Sequence, residues 1–251
     1  MGKRALLNDT KKRSFLIFGG HSPVAIAVAN RLATEGKVFL VTRNIDSEIK
    51  KVCAKEITLV EADIESFVED SLDLKPLLEE IHSVIFAHRF RGIPEDIEEA
   101  FRCEVLQPYA LVNKIVSIKR NSALRNIVFF TSPGASKILG DQPIGYHLTK
   151  SAVSQMVRYL AVGFAEKKIN VVGISPSSFV AKSRSNAFYR KHRSLKAAIE
   201  RKIPSKTFFS CEEIAELVTN ISTSENLFLT GNILELDHAL GLLEASTLIK
   251  P

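Results

Sequence analysis

Cysteine is scarce in this sequence: Cys53, Cys103 and Cys211 are the only three among 251 residues. They are odd in number, far apart and without CxxC spacing, which excludes a disulfide framework and a cysteine zinc site and fits a reducing compartment. His82, His147 and His238 have no metal-ligand spacing with one another or with the cysteines, so no metal is expected. No apolar run approaches the length of a membrane-spanning helix. Near the N-terminus, Asn8, Asp9 and Thr10 interrupt the apolar stretch after Lys3 and Arg4, against a signal peptide. Leu6 stands where a myristoylation motif after Gly2 needs Ser or Thr. A cytoplasmic protein is expected. Internal repeats, low-complexity tracts and Gly/Pro-rich linkers are also missing, so residues 1–251 read as one domain behind a loose basic leader at 1–12.

Hydrophobic residues make up 45% and charged residues 25%, the balance of a globular protein that can bury its own core. Short apolar runs alternate with longer amphipathic stretches. Phe15–Phe18, Val38–Val41, Ile57–Val60, Val84–Phe86, Ile127–Phe130 and Val171–Ile174 are predicted strands. Their lack of polar alternation is what a parallel sheet covered on both faces requires. Helical patterns run over Val24–Glu35, Pro94–Lys119 and Gly145–Lys167. The alternation predicts an α/β fold, a Rossmann-type doubly wound parallel sheet.

The first strand ends in Gly19-Gly20-His21-Ser22-Pro23-Val24, where a helix begins. Glycine there permits a tight turn and close approach of the backbone to a pyrophosphate, and the helix start offers free N–H groups. After the second strand comes Arg43, where an NAD-preferring fold usually has an acid. A guanidinium suits the 2′-phosphate of NADP(H), with His21 placed as a second donor. Asp63, after the third strand, is read either as a partner of the adenine amino group or as the cap of the next helix.

The strongest chemical pattern comes later. Tyr146 and Lys150 lie four residues apart in a helical stretch and therefore share a face. Ser132 ends the strand Ile127–Phe130, where α/β sheets carry reactive groups. An ammonium beside a phenol favours its ionised form and so its use in proton transfer. A serine hydroxyl can support charge developing on a substrate oxygen.

With these residues in view, the sequence resembles the short-chain dehydrogenase/reductase family from about Ser14 to Gly241, as a divergent member. Ile169–Pro176 and Leu229–Asp237 are similar to the family's later strand motifs. The resemblance implies an NADP(H)-dependent carbonyl reductase or alcohol dehydrogenase with Ser132, Tyr146 and Lys150 as its catalytic set. It also implies that Lys150 binds the nicotinamide ribose, and that Gly19, His21, Ser22, Val24, Arg43, Asp63, Ala87 and Pro176 line the cofactor. A homodimer or homotetramer is implied, with its interface on the helices over 94–119 and 145–167. Departures from the family pattern are concentrated on the cofactor side. Pro23 has no N–H and carries a ring where the family's backbone approaches phosphate. Phe86-Ala87-His88 replaces Asn-Ala-Gly, and Pro176-Ser177 replaces the Pro-Gly turn. Glu104 stands for the asparagine that holds a relay water. Glu104 is read as a proton shuttle through such a water or as an ion-pair partner of Lys150.

Between Lys182 and Lys206 lie nine Lys/Arg and one acid, Glu200. The segment is expected to form a basic substrate lid, favouring an anionic or carrier-bound substrate. No nucleic-acid-binding motif accompanies it. The eroded glycine motif and Glu104 leave open a non-catalytic dinucleotide sensor or partner-binding relative; a dehydratase or epimerase on the same scaffold, with proton transfer but no net redox, is a further reading.

Overall fold

The structure, a computed structural model, describes residues 13–69, 75–118, 123–177, 180–181 and 183–244. The leader at 1–12 and Lys182 of the basic segment lie outside them. Strands β1 (Arg13–Phe18), β2 (Gly36–Thr42), β3 (Ile57–Glu61), β4 (Ser83–Phe86), β5 (Asn126–Phe130) and β6 (Asn170–Pro176) match the six predicted ones, each extended by one to three residues. Two short strands, β7 (Val180–Ala181) and β8 (Phe209–Ser210), precede β9 (Ile233–Leu236). The main sheet has the order β3-β2-β1-β4-β5-β6-β9, and every neighbouring pair is parallel. The order runs outward in both directions from β1, so the doubly wound expectation holds. All carboxyl ends of the strands meet along one edge, the place where such sheets bind ligands.

Two apolar cores explain the near-continuous hydrophobic strands. One face of the sheet packs against α1 (Pro23–Leu32), α2 (Ser47–Val52) and α10 (Cys211–Ser222), burying Val28, Ile49 and Val218 with Phe15, Ile17 and Leu40. The other packs against α3 (Ile64–Val68), α4 (Lys75–Glu79), α6 (Gln107–Ser117) and α7 (Ile144–Phe164), burying Leu111, Val157 and Leu160 with Leu16, Val84 and Ile127. Successive strand residues point to opposite faces, so a strand serving both cores has little room for polar side chains.

The helical stretch predicted over 94–119 is interrupted. Helix α5 (Ile97–Phe101) passes into a π-helical turn, Arg102–Leu106, before α6 begins. Pro108 supplies a reason: a proline ring within a helix crowds the carbonyl four residues back, here that of Glu104. The wider turn, closed by Gln107 N–H donating to Arg102 O, absorbs the misfit. Helix α1 ends at Leu32, three residues short of the predicted Glu35. The run predicted as far as Lys167 closes with a 3-10 turn, Ala165–Lys167.

The basic segment folds as two helices, α8 (Ser183–Lys191) and α9 (Arg193–Lys202). Its two ends are fastened together, because β7 and β8 pair in parallel through Val180–Phe209 and Ala181–Ser210. Tyr189 packs edge-on to Phe208, and Lys196 lies over the same ring. Among the described residues, no helix is long and apolar enough to cross a membrane.

Candidate active site

The first turn is built by Gly19, whose φ of +110° lies in the region that favours glycine. A β-carbon there would come within 2.7 Å of His88 N, so this glycine also lets the β1 and β4 ends approach each other. The Gly19 and Gly20 amides both donate to Val41 O, at 3.2 and 3.0 Å, tying the turn to β2. Ser22 occupies the cap position of α1, and Pro23 stands at the helix start. There the missing N–H costs no helical bond, but the position still has no donor to give a phosphate. Val24 is buried in the first turn, and no side chain caps the amides at this end.

At the end of β2, Arg43 is exposed, and among the described residues it has no ion-pair partner. His21 does not stand free as a second donor. Its Nδ1 lies 2.8 Å from Thr42 Oγ1 and its Nε2 lies 3.1 Å from Asp46 Oδ2. Asp46 also accepts from the Glu48 and Ile49 amides as the cap of α2, and the Ile49 amide and His21 hold its carboxyl below the usual range. The sequence reading missed Asp46, although its place one residue before α2 is a recognisable cap signal. Asp63 caps α3, its Oδ1 accepting from Ser66 N at 2.9 Å and from Ser66 Oγ at 2.8 Å. Partial burial would raise its carboxyl, but the Ser66 bonds and the Arg102 charge outweigh that and hold it low.

Phe86 and Ala87 end β4 and lead into its loop. Phe86 stacks on Phe18 and Phe129, with ring centroids 5.3 and 4.8 Å apart, so a core-filling ring stands where the family has an amide. The Ala87 amide donates to Phe18 O at 2.9 Å. His88 Nε2 lies 3.1 Å from Cys103 O in the π-helical turn, while its Nδ1 is sealed from solvent without a partner among the described residues. Pro176 closes β6 and pairs in register with Leu236 of β9.

The predicted catalytic set is brought together. Ser132 follows β5 and caps the 3-10 turn Pro133–Ala135, its Oγ accepting from Gly134 N at 3.1 Å. An accepting hydroxyl retains its own proton to donate. The Tyr146 ring lies against that turn, since a β-carbon on Gly134 would sit 3.0 Å from its Cε1. His147, buried beside it, reaches Gly134 O at 2.8 Å through Nδ1 and so holds α7 to the turn. Lys150 lies one helical turn along, its Nζ 5.8 Å from the centre of the Tyr146 ring. That ammonium donates to Phe130 O at 3.2 Å and pairs with Glu104 Oε2 at 2.7 Å. The side chains of Lys150 and Glu104 are only 5% and 4% exposed. Glu104 Oε1 accepts from Phe90 N at 2.8 Å. Of the two readings of Glu104, the ion pair is the one observed. The π-helical turn carries Glu104, so the irregularity in the helix and the anchoring of the lysine occur at one place.

Burial pushes His88 down to about 4, although the Glu104 charge pulls the other way; burial likewise brings His82 to about 4. Both are therefore neutral in the fold at neutral pH and would be charged in the unfolded chain below its ordinary value of 6.5. The unfolded state then binds more protons, so stability is complete above pH 6.5 and is lost as pH falls toward 4. The loss should reach up to about 3 kcal/mol per histidine, read as a falling urea midpoint between pH 7 and 4.5. In His88→Asn the fall should be about half as large.

Among the described residues no His/Cys/Asp/Glu group could hold a metal ion. Burial, followed by the Glu104 charge, raises the Cys103 thiol to about 11, well away from a reactive thiolate.

Comparison with known proteins identifies the lineage. The family model described as enoyl-(acyl carrier protein) reductase matches residues 81–239. The chain belongs to the short-chain dehydrogenase/reductase family. A glucose 1-dehydrogenase of Gluconobacter oxydans is 24% identical, with 92% of each chain covered. The 3-oxoacyl-[acyl-carrier-protein] reductase MabA of Mycobacterium bovis is 20% identical, over 92% of this chain and 93% of that protein. The Pseudomonas aeruginosa RhlG/NADP active-site complex superposes with a TM-score of 0.73 at 20% identity, over 91% of this chain and 96% of that one.

Proposed function

We propose that this chain is an NADP(H)-dependent oxidoreductase interconverting a carbonyl and an alcohol. The observation that carries this reading is the convergence of Ser132, Tyr146 and Lys150 at the carboxyl edge of the sheet. When bound, the nicotinamide supplies or takes up the hydride. Tyr146, half-buried against the Ser132-capped turn, gives the proton to the forming alkoxide or removes it from the alcohol. Ser132 donates a hydrogen bond to the same oxygen. Lys150 is fixed by Glu104 and Phe130 O, which uses two of its three donors and leaves one for a ribose hydroxyl. Glu104 orients the lysine and offsets its charge.

The residues at the cofactor end fit a dinucleotide. The uncapped start of α1, which the Gly19 turn leads into, offers amides to a diphosphate, and the exposed Arg43 offers a guanidinium to a 2′-phosphate. The NADP complex of a structural neighbour agrees with this reading. Arg43→Ala should weaken NADPH binding by about ten- to a hundred-fold, the worth of charge-assisted hydrogen bonds, and change NADH binding little. Fluorescence titration with each cofactor measures this, and equal losses for both would remove the assignment.

We place the protein in the cytoplasm and take the substrate to be anionic or carrier-bound, for which the basic α8–α9 hairpin is the proposed cover. The carrier-protein reductase among the relatives supports the carrier-bound alternative, while the basic hairpin suits either. A homodimer or homotetramer is proposed on α6 and α7, where Tyr109, Leu148, Tyr159 and Val162 are exposed apolar side chains. Loss of turnover in Tyr146→Phe is the test of the reaction. The sensor reading instead expects cofactor binding with no carbonyl turned over by the unaltered protein.

A further inference from the structure

We propose that Arg89 is the substrate-binding cation of this site, and that the substrate carries a carboxylate within a few bonds of the reacting carbonyl. The substrate class is then a short oxo acid, with the matching hydroxy acid as its reduced form. This inference rests on the carbonyl–alcohol reading above and goes beyond it by placing the charge next to the chemistry.

The guanidinium carbon of Arg89 lies 5.1 Å from the centre of the Tyr146 ring. A substrate oxygen hydrogen-bonded to the Tyr146 hydroxyl would put its neighbouring carbons within reach of that guanidinium. Arg89 is held in place although its side chain is exposed. The residue before it, His88, is anchored to Cys103 O, and the amide of the residue after it, Phe90, donates to Glu104 Oε1. Both anchors lie in the π-helical turn, so the turn that fixes Lys150 also fixes the backbone on either side of Arg89.

Charge accounting gives the same answer. Lys150 is neutralised by Glu104 at 2.7 Å and contributes no net positive charge to an incoming anion. Arg89 has no carboxylate partner among the described residues; its one polar contact is Gln142 Oε1 at 3.5 Å. Its fork of donors is therefore available, and that fork matches a carboxylate in two-point geometry. A carrier-bound or coenzyme-bound acyl group has its charges far from the carbonyl and would leave this guanidinium unmatched. An unpaired cation beside the proton donor selects for charge near the reacting carbon.

The test compares pyruvate and acetoacetate with their methyl esters as substrates of the full-length protein with NADPH. The unaltered protein should prefer the free acids. In Arg89→Met the acid-to-ester ratio of kcat/KM should fall by about ten- to a hundred-fold, mainly through KM, and Arg89→Lys should restore part of it. An effect exerted only through Tyr146 would lower acids and esters alike, leave the ratio unchanged and overturn the proposal. Tenfold weaker NADPH binding in Arg89→Met would also overturn it, by assigning the guanidinium to cofactor phosphate. If no carbonyl were turned over, the reaction reading would fall on its own. Calorimetric titration of oxamate and malonate, with and without NADPH, would then decide the Arg89 assignment. Binding that is lost in Arg89→Met supports it, and absence of binding to the unaltered protein overturns it.

Discussion

Replacing Tyr146 with Phe is expected to lower carbonyl-dependent NADPH oxidation by about a hundred- to ten-thousand-fold, the usual contribution of a positioned acid. The ring itself should stay in place. It is held against the Ser132-capped turn, with the Arg89 guanidinium carbon 5.1 Å and the Lys150 ammonium 5.8 Å from its centre. Phenylalanine keeps that packing and removes the ionisable oxygen alone. NADPH affinity and the unfolding midpoint should therefore be close to those of the parent, with the loss confined to kcat. A variant that turned over at the parental rate would mean that the proton comes from another group. Removing the Ser132 hydroxyl, which supports the oxygen without delivering its proton, should cost less, and the two losses should not add as independent effects.

Glu104→Ala is expected to destabilise the fold by about 3–5 kcal/mol, because it leaves the Lys150 ammonium buried without its counter-charge. The same substitution removes the acceptor for the Phe90 amide, so the loop carrying His88 and Arg89 loses an anchor as well. Glu104→Gln keeps an accepting oxygen for only one of the two partners, sets its amide NH2 against the other and loses the charge, and should lie between the parent and the alanine variant, nearer the alanine. Glu104→Ala combined with Lys150→Met removes both charges. If the ion pair is the reason for the loss, this double variant should recover a large part of the stability lost in Glu104→Ala, while remaining inactive. Urea unfolding of the four proteins at neutral pH measures this. A single-variant loss below about 1 kcal/mol, the range of exposed pairs, would contradict the buried-pair account.

The strands were legible because the sheet is covered on both faces, so their apolar runs carry no polar interruption. Tyr146 and Lys150 were legible because a four-residue spacing on a helix is a geometric statement in itself. Ser132 could be placed because strand ends in a parallel sheet share one edge. Glu104 was identified as important, but its role depends on a distance that only the fold supplies. Pro108 stood in the sequence as a sign that the helix over 94–119 is interrupted; whether a proline gives a kink, a break or a wider turn depends on packing against α7. Arg89 went unremarked because a lone arginine in a loop resembles any surface charge. Its position three residues beyond a strand end was the available signal. Asp63 shows the reverse case, a residue whose capping bonds are local enough to be expected from its place before a helix. His21, expected to face a phosphate, is engaged by Thr42 and Asp46, a partnership between residues twenty or more positions apart that periodicity cannot reveal.

The central claim is that Ser132, Tyr146 and Lys150 form a working hydride-transfer site beside a dinucleotide cleft. Its most direct test is to titrate the unaltered protein with NADPH by fluorescence and then add a panel of oxo acids, ketones and thioesters. Saturable binding followed by stoichiometric conversion of NADPH and carbonyl to NADP and alcohol is the predicted result. No binding, or saturable binding with no carbonyl reduced across the panel, would contradict it.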